Sequence, residues 1–558
     1  MKKVFLIFIV LFWVSEIYSQ VENVPLSYPV YDFLKEMSVK GIIDLNDDNP
    51  NLSRFEVADY LKIIEENKLE LSKTERDLLN KYKVEFIYEE SNESNTWNLF
   101  GSGKNFIKNL EDFFSNKQKY IFSYGEKGNN VYVEGLGNIY VGRKTKPNKN
   151  VNVLMTDGGL RARGTVFNHL GYFFEYSKGA IIGQKELAPL IEPRLRSDFK
   201  FNEDAEKVLS YDNTSAYIKY FIEPMDRFKL SGQIGRERLT YGYGYGSKVI
   251  LSGDNPDMDF FKFSADYDLF HLSGIYASTV GYFSKNRDER YTKYFSAHRL
   301  KIAIKNVVDI GVTDVVIYNG RIDFAYLNPI LFWLFAEKSL QDRDNKNVCF
   351  DFRTRFLKNT EFQGTIFIDD DEGFAILSGK TNREQKFAYQ LGAYFYEPLS
   401  IKNLSFIIEY TKIRPYTYTH YDLKNNYTAY GINLGHPIGP NADEVFTRLS
   451  YNISDWGRIN LEYRFIRKGN NIFDDNGNLI KNVGGDLIHA FRDGIDDEDA
   501  RFLDGERVNT NNIILNFRLI PIRNYIINFY FVYNIDNNLT KGIKSDYSYA
   551  FVRINIEY

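Results

Sequence analysis

From about residue 120 to its end, the chain alternates apolar and polar side chains with period two, and the polar positions carry charge. In residues 458–465, Ile459, Leu461, Tyr463 and Phe465 alternate with Arg458, Asn460, Glu462 and Arg464. Residues 512–520 set Ile513, Leu515, Phe517 and Leu519 against Asn516 and Arg518, and residues 525–533 set Tyr525, Ile527, Phe529, Phe531 and Tyr533 around Asn528. The last residues repeat the pattern, with Ala550, Val552, Ile554, Ile556 and Tyr558 against Arg553, Asn555 and Glu557. In a strand these sets point to opposite faces. No soluble core accepts rows of guanidinium and carboxylate, whereas a wall between lipid and a polar lumen requires them. The expected fold is mainly β, a large antiparallel transmembrane β-barrel. About 440 residues follow residue 119, and at about 9–11 residues per spanning strand this predicts roughly 16–18 strands. A soluble β-sandwich or propeller is the alternative. It would bury its apolar faces and show blade-like repeats, and none is visible.

Composition supports the barrel: 42 Tyr and 45 Phe raise the aromatic share to 16%, yet mean hydropathy is -0.38 and 26% of residues are charged. A net charge of -4 and a pI near 6.0 leave no basic footprint for nucleic acid. Partners are therefore to be sought at a surface, beginning with the lipid that the outer face of such a barrel meets, and not among polyanions. The single Cys349 excludes an intrachain disulfide and reads as a buried thiol. No motif calls for a cofactor or a metal.

Residues 1–19 read as a signal peptide: Lys2 and Lys3, an apolar run over 4–14, and Ile17-Tyr18-Ser19 ahead of Gln20. The run falls short of the roughly 20 apolar residues of a spanning helix. The next apolar block, residues 330–336, is shorter still. Residues 20–119 form a helical periplasmic module and linker, and residues 120–558 the barrel. Within the module, residues 31–39 and 53–67 carry helical spacing, and Ser53 with Glu56 makes a capping box that Ser72 and Glu75 repeat. The segment 30–61 resembles an S-layer-homology-type unit, which implies a cell-wall polymer ligand; a helical lid under the barrel is the plainer expectation. Gly101-Ser102-Gly103-Lys104 lacks the upstream Gly and the Ser/Thr of a phosphate loop.

Residues 236–256, RERLTYGYGYGSKVILSGDNP, break the barrel pattern. Upstream, Phe228, Leu230, Gly232 and Ile234 put the apolar face on even positions; Leu239, Tyr241, Tyr243 and Tyr245 put it on odd ones. A one-residue shift exchanges faces, so either a bulge sits near 235–238 or the chain leaves the wall. The expectation is that Arg236, Arg238 and the glycines enter the lumen and obstruct it.

The middle of the chain resembles the Wzi-type capsule assembly family of outer-membrane barrels. The matching residues are Arg236-Glu237-Arg238, Tyr241-Gly242-x-Gly244-x-Gly246, Leu251-Ser252, the run Tyr294 to Leu300 (YFSAHRL), and Asp314 to Tyr318 (DVVIY). Tyr326-Leu327-Asn328-Pro329, Glu337, Asp351 and Asp369-Asp370 continue the order. The series covers about residues 222–371. The family more often has Trp where Tyr241 stands and Glu where Asp314 stands. The resemblance implies a non-enzymatic barrel that holds capsular polysaccharide at the cell surface.

Read from the residues themselves, Arg299 and Lys301 face the lumen and His298 the girdle, while Cys349, Asp351, Arg353 and Arg355 share an inward face continued by Glu361, Gln363 and Asp369. Opposite charges on one wall read as a cross-strand network, for which Asp314 is a further lumen candidate. Sugar recognition needs aromatic faces and a few polar groups, which Tyr416, Tyr418 and Tyr421 in PYTYTHY, then Tyr427 and Tyr430, supply on a loop or strand top. The acidic loop 486–507 is a second candidate. Asn328-Pro329 predicts a short apolar helix over 330–338, inside the lumen or on an outer loop. Asp474-x-Asn476-Gly477 predicts a tight turn rather than a calcium loop, since Gly485 stands where the twelfth-position Glu belongs. A transport porin and an envelope-glycan-modifying enzyme are the competing functions. A carboxylate pair would suffice for the enzyme, but no Gly-x-Ser-x-Gly, His-Glu-x-x-His or Cys/His cluster is present.

Overall fold

A computed structural model describes residues 20–49, 51–86, 96–100, 112–126, 128–147, 150–196, 202–205, 208–281, 286–329, 333, 343–369 and 385–558. The proposed signal peptide, the Gly101–Lys104 segment, Asp370, Glu337 and all of 330–338 except Trp333 lie outside the described residues.

The alternating segments form eighteen long antiparallel strands closed into a barrel. They are β1 Asn129–Lys146, β2 Asn152–Val166, β3 Leu170–Gly183, β4 Val208–Met225, β5 Phe228–Glu237 and β6 Met258–Tyr267. There follow β7 Phe270–Val280, β8 Thr292–Ile304, β9 Val308–Asn319, β10 Asn345–Leu357, β11 Thr360–Asp369 and β12 Phe387–Tyr396. The ring is completed by β13 Leu404–Ile413, β14 Ala442–Ser454, β15 Gly457–Asn470, β16 Glu506–Leu519, β17 Tyr525–Asn538 and β18 Ile543–Glu557, with β18 pairing back onto β1. Closure removes every free edge and excludes the sandwich and propeller alternatives. Ile234, Phe261, Leu300, Ile302, Ile310, Phe350, Leu391, Leu461 and Phe531 are exposed outward, while Arg299, Lys301, Arg353 and Glu361 are buried inward. Short turns such as those at Arg227, Asp268 and Asn359 mark the periplasmic end, and the long connections mark the outer end.

Three helices precede the wall: α1 Val30–Lys40, α2 Arg54–Glu66 and α3 Lys73–Phe86. Both capping boxes form, Ser53 N–H donating to Glu56 at 2.7 Å and Ser72 N–H to Glu75 at 2.5 Å. The helices are not a lid beneath the barrel. Glu22 pairs with Arg163 on β2 (3.0 Å), Asp32 with Arg518 on β16 (2.6 Å), Lys35 with Glu361 on β11 (2.6 Å) and Glu36 with Arg458 on β15 (2.6 Å). A body bonded to inward side chains on opposite sides of a closed ring lies within its bore. The module is therefore a plug in the periplasmic mouth. Asp44, Asp47 and Asp48, the polar loop of the S-layer-like segment, pair with Arg355, Arg353, and Arg299 with Lys301, on β8 and β10.

Candidate functional site: the closed bore and its outer loops

The wall strand β5 ends at Glu237 and the chain turns inward. Tyr241 and Leu251 bridge to make a narrow hairpin, with Tyr241 N–H donating to Leu251 O at 3.0 Å. Gly242 sits at φ +90°, a conformation glycine adopts without strain, and its N–H donates to Asp48 O of the plug at 3.0 Å. The outer loop thus meets the plug inside the barrel. The phase shift read near residues 235–238 is the point where the chain leaves the wall.

Each tyrosine of the hairpin has a structural partner. Tyr241 is fully buried, its hydroxyl 2.5 Å from Ser273 Oγ. The Tyr243 ring lies between two guanidiniums, 5.2 Å from Arg299 and 5.1 Å from Arg353, and its hydroxyl donates to Asp309 at 3.3 Å. Tyr245 donates its hydroxyl to Glu361 at 2.8 Å, and the Tyr245 and Gly246 N–H groups both donate to Glu409 at 2.8 Å. Gly392 on the facing wall makes room for this tip: a Cβ there would come within 2.8 Å of the Tyr245 ring.

The charges around the hairpin form one network. Arg299 donates to Asp351 at 2.7 Å and to Asp48 at 2.6 Å, Lys301 donates to Asp48 at 2.7 Å, and Arg353 donates to Asp309 at 3.0 Å and pairs with Asp47. Burial alone would raise the Asp48 carboxyl, but Lys301 and Arg299 override it and hold the group well below the usual carboxylate range.

A second outer loop clamps the hairpin from above. Tyr418 donates its hydroxyl to Val249 O at 2.7 Å, Tyr427 to Ile250 O at 2.8 Å, and Ser252 N–H to Leu434 O at 2.9 Å. Asp369 at the rim accepts the Tyr418 N–H, and Tyr416 packs fully buried with its hydroxyl on Asn482 O at 3.2 Å. Tyr421 is 68% exposed at the outer surface. Its ring packs 4.2 Å from that of His420 and is the most exposed of the PYTYTHY tyrosines, whereas Tyr416, Tyr418 and Tyr427 are buried and hold the closure together. Cys349 is buried in the same core, and Asp474 closes a tight turn, accepting the Gly477 N–H at 3.0 Å.

Two sequence expectations need correction. Arg236 does not enter the lumen: it is still on β5, on the outward face, paired with Asp259 at 3.1 Å. Only Arg238, past the strand end, reaches the bore. Asp314 is also outward. It sits opposite His298 across β8 and β9, accepts the Trp333 N–H at 3.2 Å, and lies under a Trp333 ring 4.1 Å from the imidazole. Trp333 therefore packs against the outer wall, not in the lumen. Glu409, Asp309, Asp47 and Asp48 were not singled out. Their inward parity was readable, but their partners lie up to hundreds of residues away.

His436, in the clamp, is fully buried and neither ring nitrogen has a hydrogen-bond partner among the described residues. Burial, reinforced by Arg464, lowers its pKa to about 3 despite Glu444 at 3.7 Å. A histidine whose folded pKa is depressed adds stability above its unfolded value of about 6.5 and loses it as pH falls toward the folded one. Urea midpoints measured from pH 7 to pH 4 should therefore fall below about pH 6.5. His436→Gln should flatten that slope; an unchanged slope would place the acid sensitivity elsewhere.

A closed antiparallel barrel with an apolar outer band, a charged inner face and an occupied bore is an outer-membrane β-barrel. Residues 214–490 match the family described as "Capsule assembly protein Wzi". Over that region the chain belongs to the Wzi capsule assembly family, and it is a protein of the outer membrane. Among solved structures it is similar to Wzi of Escherichia coli, described as an outer-membrane protein involved in group 1 capsule assembly and a carbohydrate-binding β-barrel. Identity is 13% over 96% of this chain and 99% of that one, with a TM-score of 0.55; the likeness is one of fold. OprD of Pseudomonas aeruginosa (10% identity, 77% and 95% covered, TM-score 0.41) and OccAB2 of Acinetobacter baumannii (10%, 77% and 98%, 0.43) are more distant. Among curated proteins, none matches by sequence.

Proposed function

We propose that this barrel holds capsular polysaccharide at the outer face of the membrane and assists capsule assembly without chemical turnover. The observation that carries the reading is the double closure of the bore: the helical plug enters from the periplasmic mouth, the Tyr-Gly hairpin enters from the outer loops, and they meet at Gly242 and Asp48. A polymer then engages the outer surface, where Tyr421, Asp493, Asp497, Glu498 and Asp499 are exposed. The family membership and the carbohydrate-binding description of the E. coli structure favour a glycan as the ligand. Asp48, Asp351 and Asp309 are committed to arginine or lysine partners, which suits a scaffold better than a general acid. The division of labour follows: residues 1–19 direct export, the helical part of the 20–119 module, described up to Phe86, plugs the bore, and 120–558 form the wall and the binding loops.

The test is capsule retention on intact cells carrying trimmed outer loops. Shortening residues 472–481 and 493–499 and replacing Tyr421 with Ala should reduce retained polymer while the barrel still folds. Retention equal to wild type in every such strain would defeat the reading. Release of any product from the cognate polymer by the purified protein would overturn its non-enzymatic part.

A further inference from the structure

The plug fills the bore unevenly. On the side of β1 to β4 and β16 to β18 it leaves a chamber of about 450 Å³, floored by plug residues 23–29 and lined near its outer end by Glu192, Arg194, Arg238 and Asp257. That volume lies in the range of small-molecule sites, roughly 300–1,000 Å³.

Most charges facing the chamber are already paired. Arg161 holds Glu175 at 2.8 Å and Glu557 at 3.1 Å, Arg518 holds Asp32 at 2.6 Å, Arg194 holds Glu192 at 2.9 Å, and Lys262 holds Glu237 at 3.2 Å. Arg238 and Arg553 differ. Among the described residues no carboxylate oxygen comes within the 4.0 Å of an ion pair with either. Arg553 contacts the Tyr140 ring at 5.2 Å, and Arg238 faces Glu192, Arg194, Asp257 and Asp254 only at longer range. The Glu192 carboxylate is surrounded by Arg194, Arg553 and Arg238, which together outweigh its burial and hold it well below the usual range. The lining carries five arginines and five carboxylates in all, but at the outer end Arg194, Arg238 and Arg553 face only Glu192 and Asp257, and that end favours an anion.

Its other walls suit a sugar. Phe173 and Tyr217 stack at 5.1 Å with planes 2° apart on one side, and Tyr530 stacks on Phe551 at 4.5 Å on the other. The Asn528 amide also lines the space and makes no hydrogen bond among the described residues. Aromatic faces take the apolar faces of pyranose rings, amides take hydroxyls, and free guanidiniums take carboxylate in a forked geometry. We propose that the chamber binds a short acidic oligosaccharide, its carboxylates taken by Arg238 and Arg553. The choice of a saccharide rests on the glycan-binding reading above; the anion preference rests on the chamber itself.

The test is calorimetric titration of the full chain in detergent with three probes: a uronic-acid trisaccharide, neutral cellotriose and inorganic phosphate. The uronate should bind and cellotriose should not. Arg238→Gln and Arg553→Gln should each weaken uronate binding by about tenfold or more, whereas Arg236→Gln, on the outward face of β5, should leave it unchanged. A heat-dependent gel shift reports whether each variant is folded. Should Arg553→Gln fail to fold, Arg238→Gln decides alone, because that guanidinium has no protein ion-pair partner to lose. Absence of uronate binding, equal binding of cellotriose, displacement by phosphate at equal affinity, or indifference to Arg238→Gln would each overturn the proposal. If capsule retention on cells still depends on the outer loops in that event, the chamber is wrong and the proposed function stands.

Discussion

Arg299→Ala is expected to destabilise the folded protein by about 3–5 kcal/mol, the cost of breaking a buried ion network from one side. Arg299 is completely buried and serves Asp48 of the plug and Asp351 of β10 together. Its removal leaves Asp351 without its arginine and Asp48 with Lys301 alone. It also removes one face of the Tyr243 sandwich. Urea unfolding followed by the heat-dependent gel shift measures the loss. Arg236→Ala, which breaks a half-exposed pair on the outer wall, should stay within about 0.5 kcal/mol of wild type. Equal effects from the two substitutions would mean that the inner network carries no special weight.

Tyr243→Ala should release the hairpin. The substitution removes a buried ring, at about 3–5 kcal/mol for an aromatic truncated in a core, and with it both desolvated cation–π contacts. Tyr243→Phe keeps the ring between Arg299 and Arg353 and loses a hydroxyl bond of 3.3 Å, so it should cost only about 1 kcal/mol. Limited proteolysis within residues 238–257 separates them: the Ala variant should be cut much faster than wild type and the Phe variant nearly as slowly. If both are cut alike, the ring is not what anchors the hairpin.

The barrel was legible because lipid and a polar bore impose opposite demands on alternate residues, and 458–465 or 525–533 can meet both only as wall strands. The phase shift after Ile234 marked the departure from the wall for the same reason. The phase shift locates that departure only to within a few residues, and Arg236 stays on the wall because the strand persists to Glu237 before turning in. An acid on a strand, as Asp314 is, reads as inward; the Trp333 cover that lets it face outward comes from a distant loop. The rings of PYTYTHY carry the composition of a sugar surface, but aromatic faces pack equally well on a backbone hairpin. Only burial separated Tyr421 from Tyr416 and Tyr418. The plug was readable as helices with caps, yet its place inside the ring depended on pairings such as Asp48 with Arg299 that no local pattern reveals.

Single-channel conductance of the full chain in planar bilayers tests the closed bore most directly. The plug and hairpin, locked together at Gly242 and Asp48 and held by Arg299, Arg353 and Glu409, predict a membrane that stays silent, without steady openings. Large, long-lived openings of the wild-type protein would contradict the account and restore the porin.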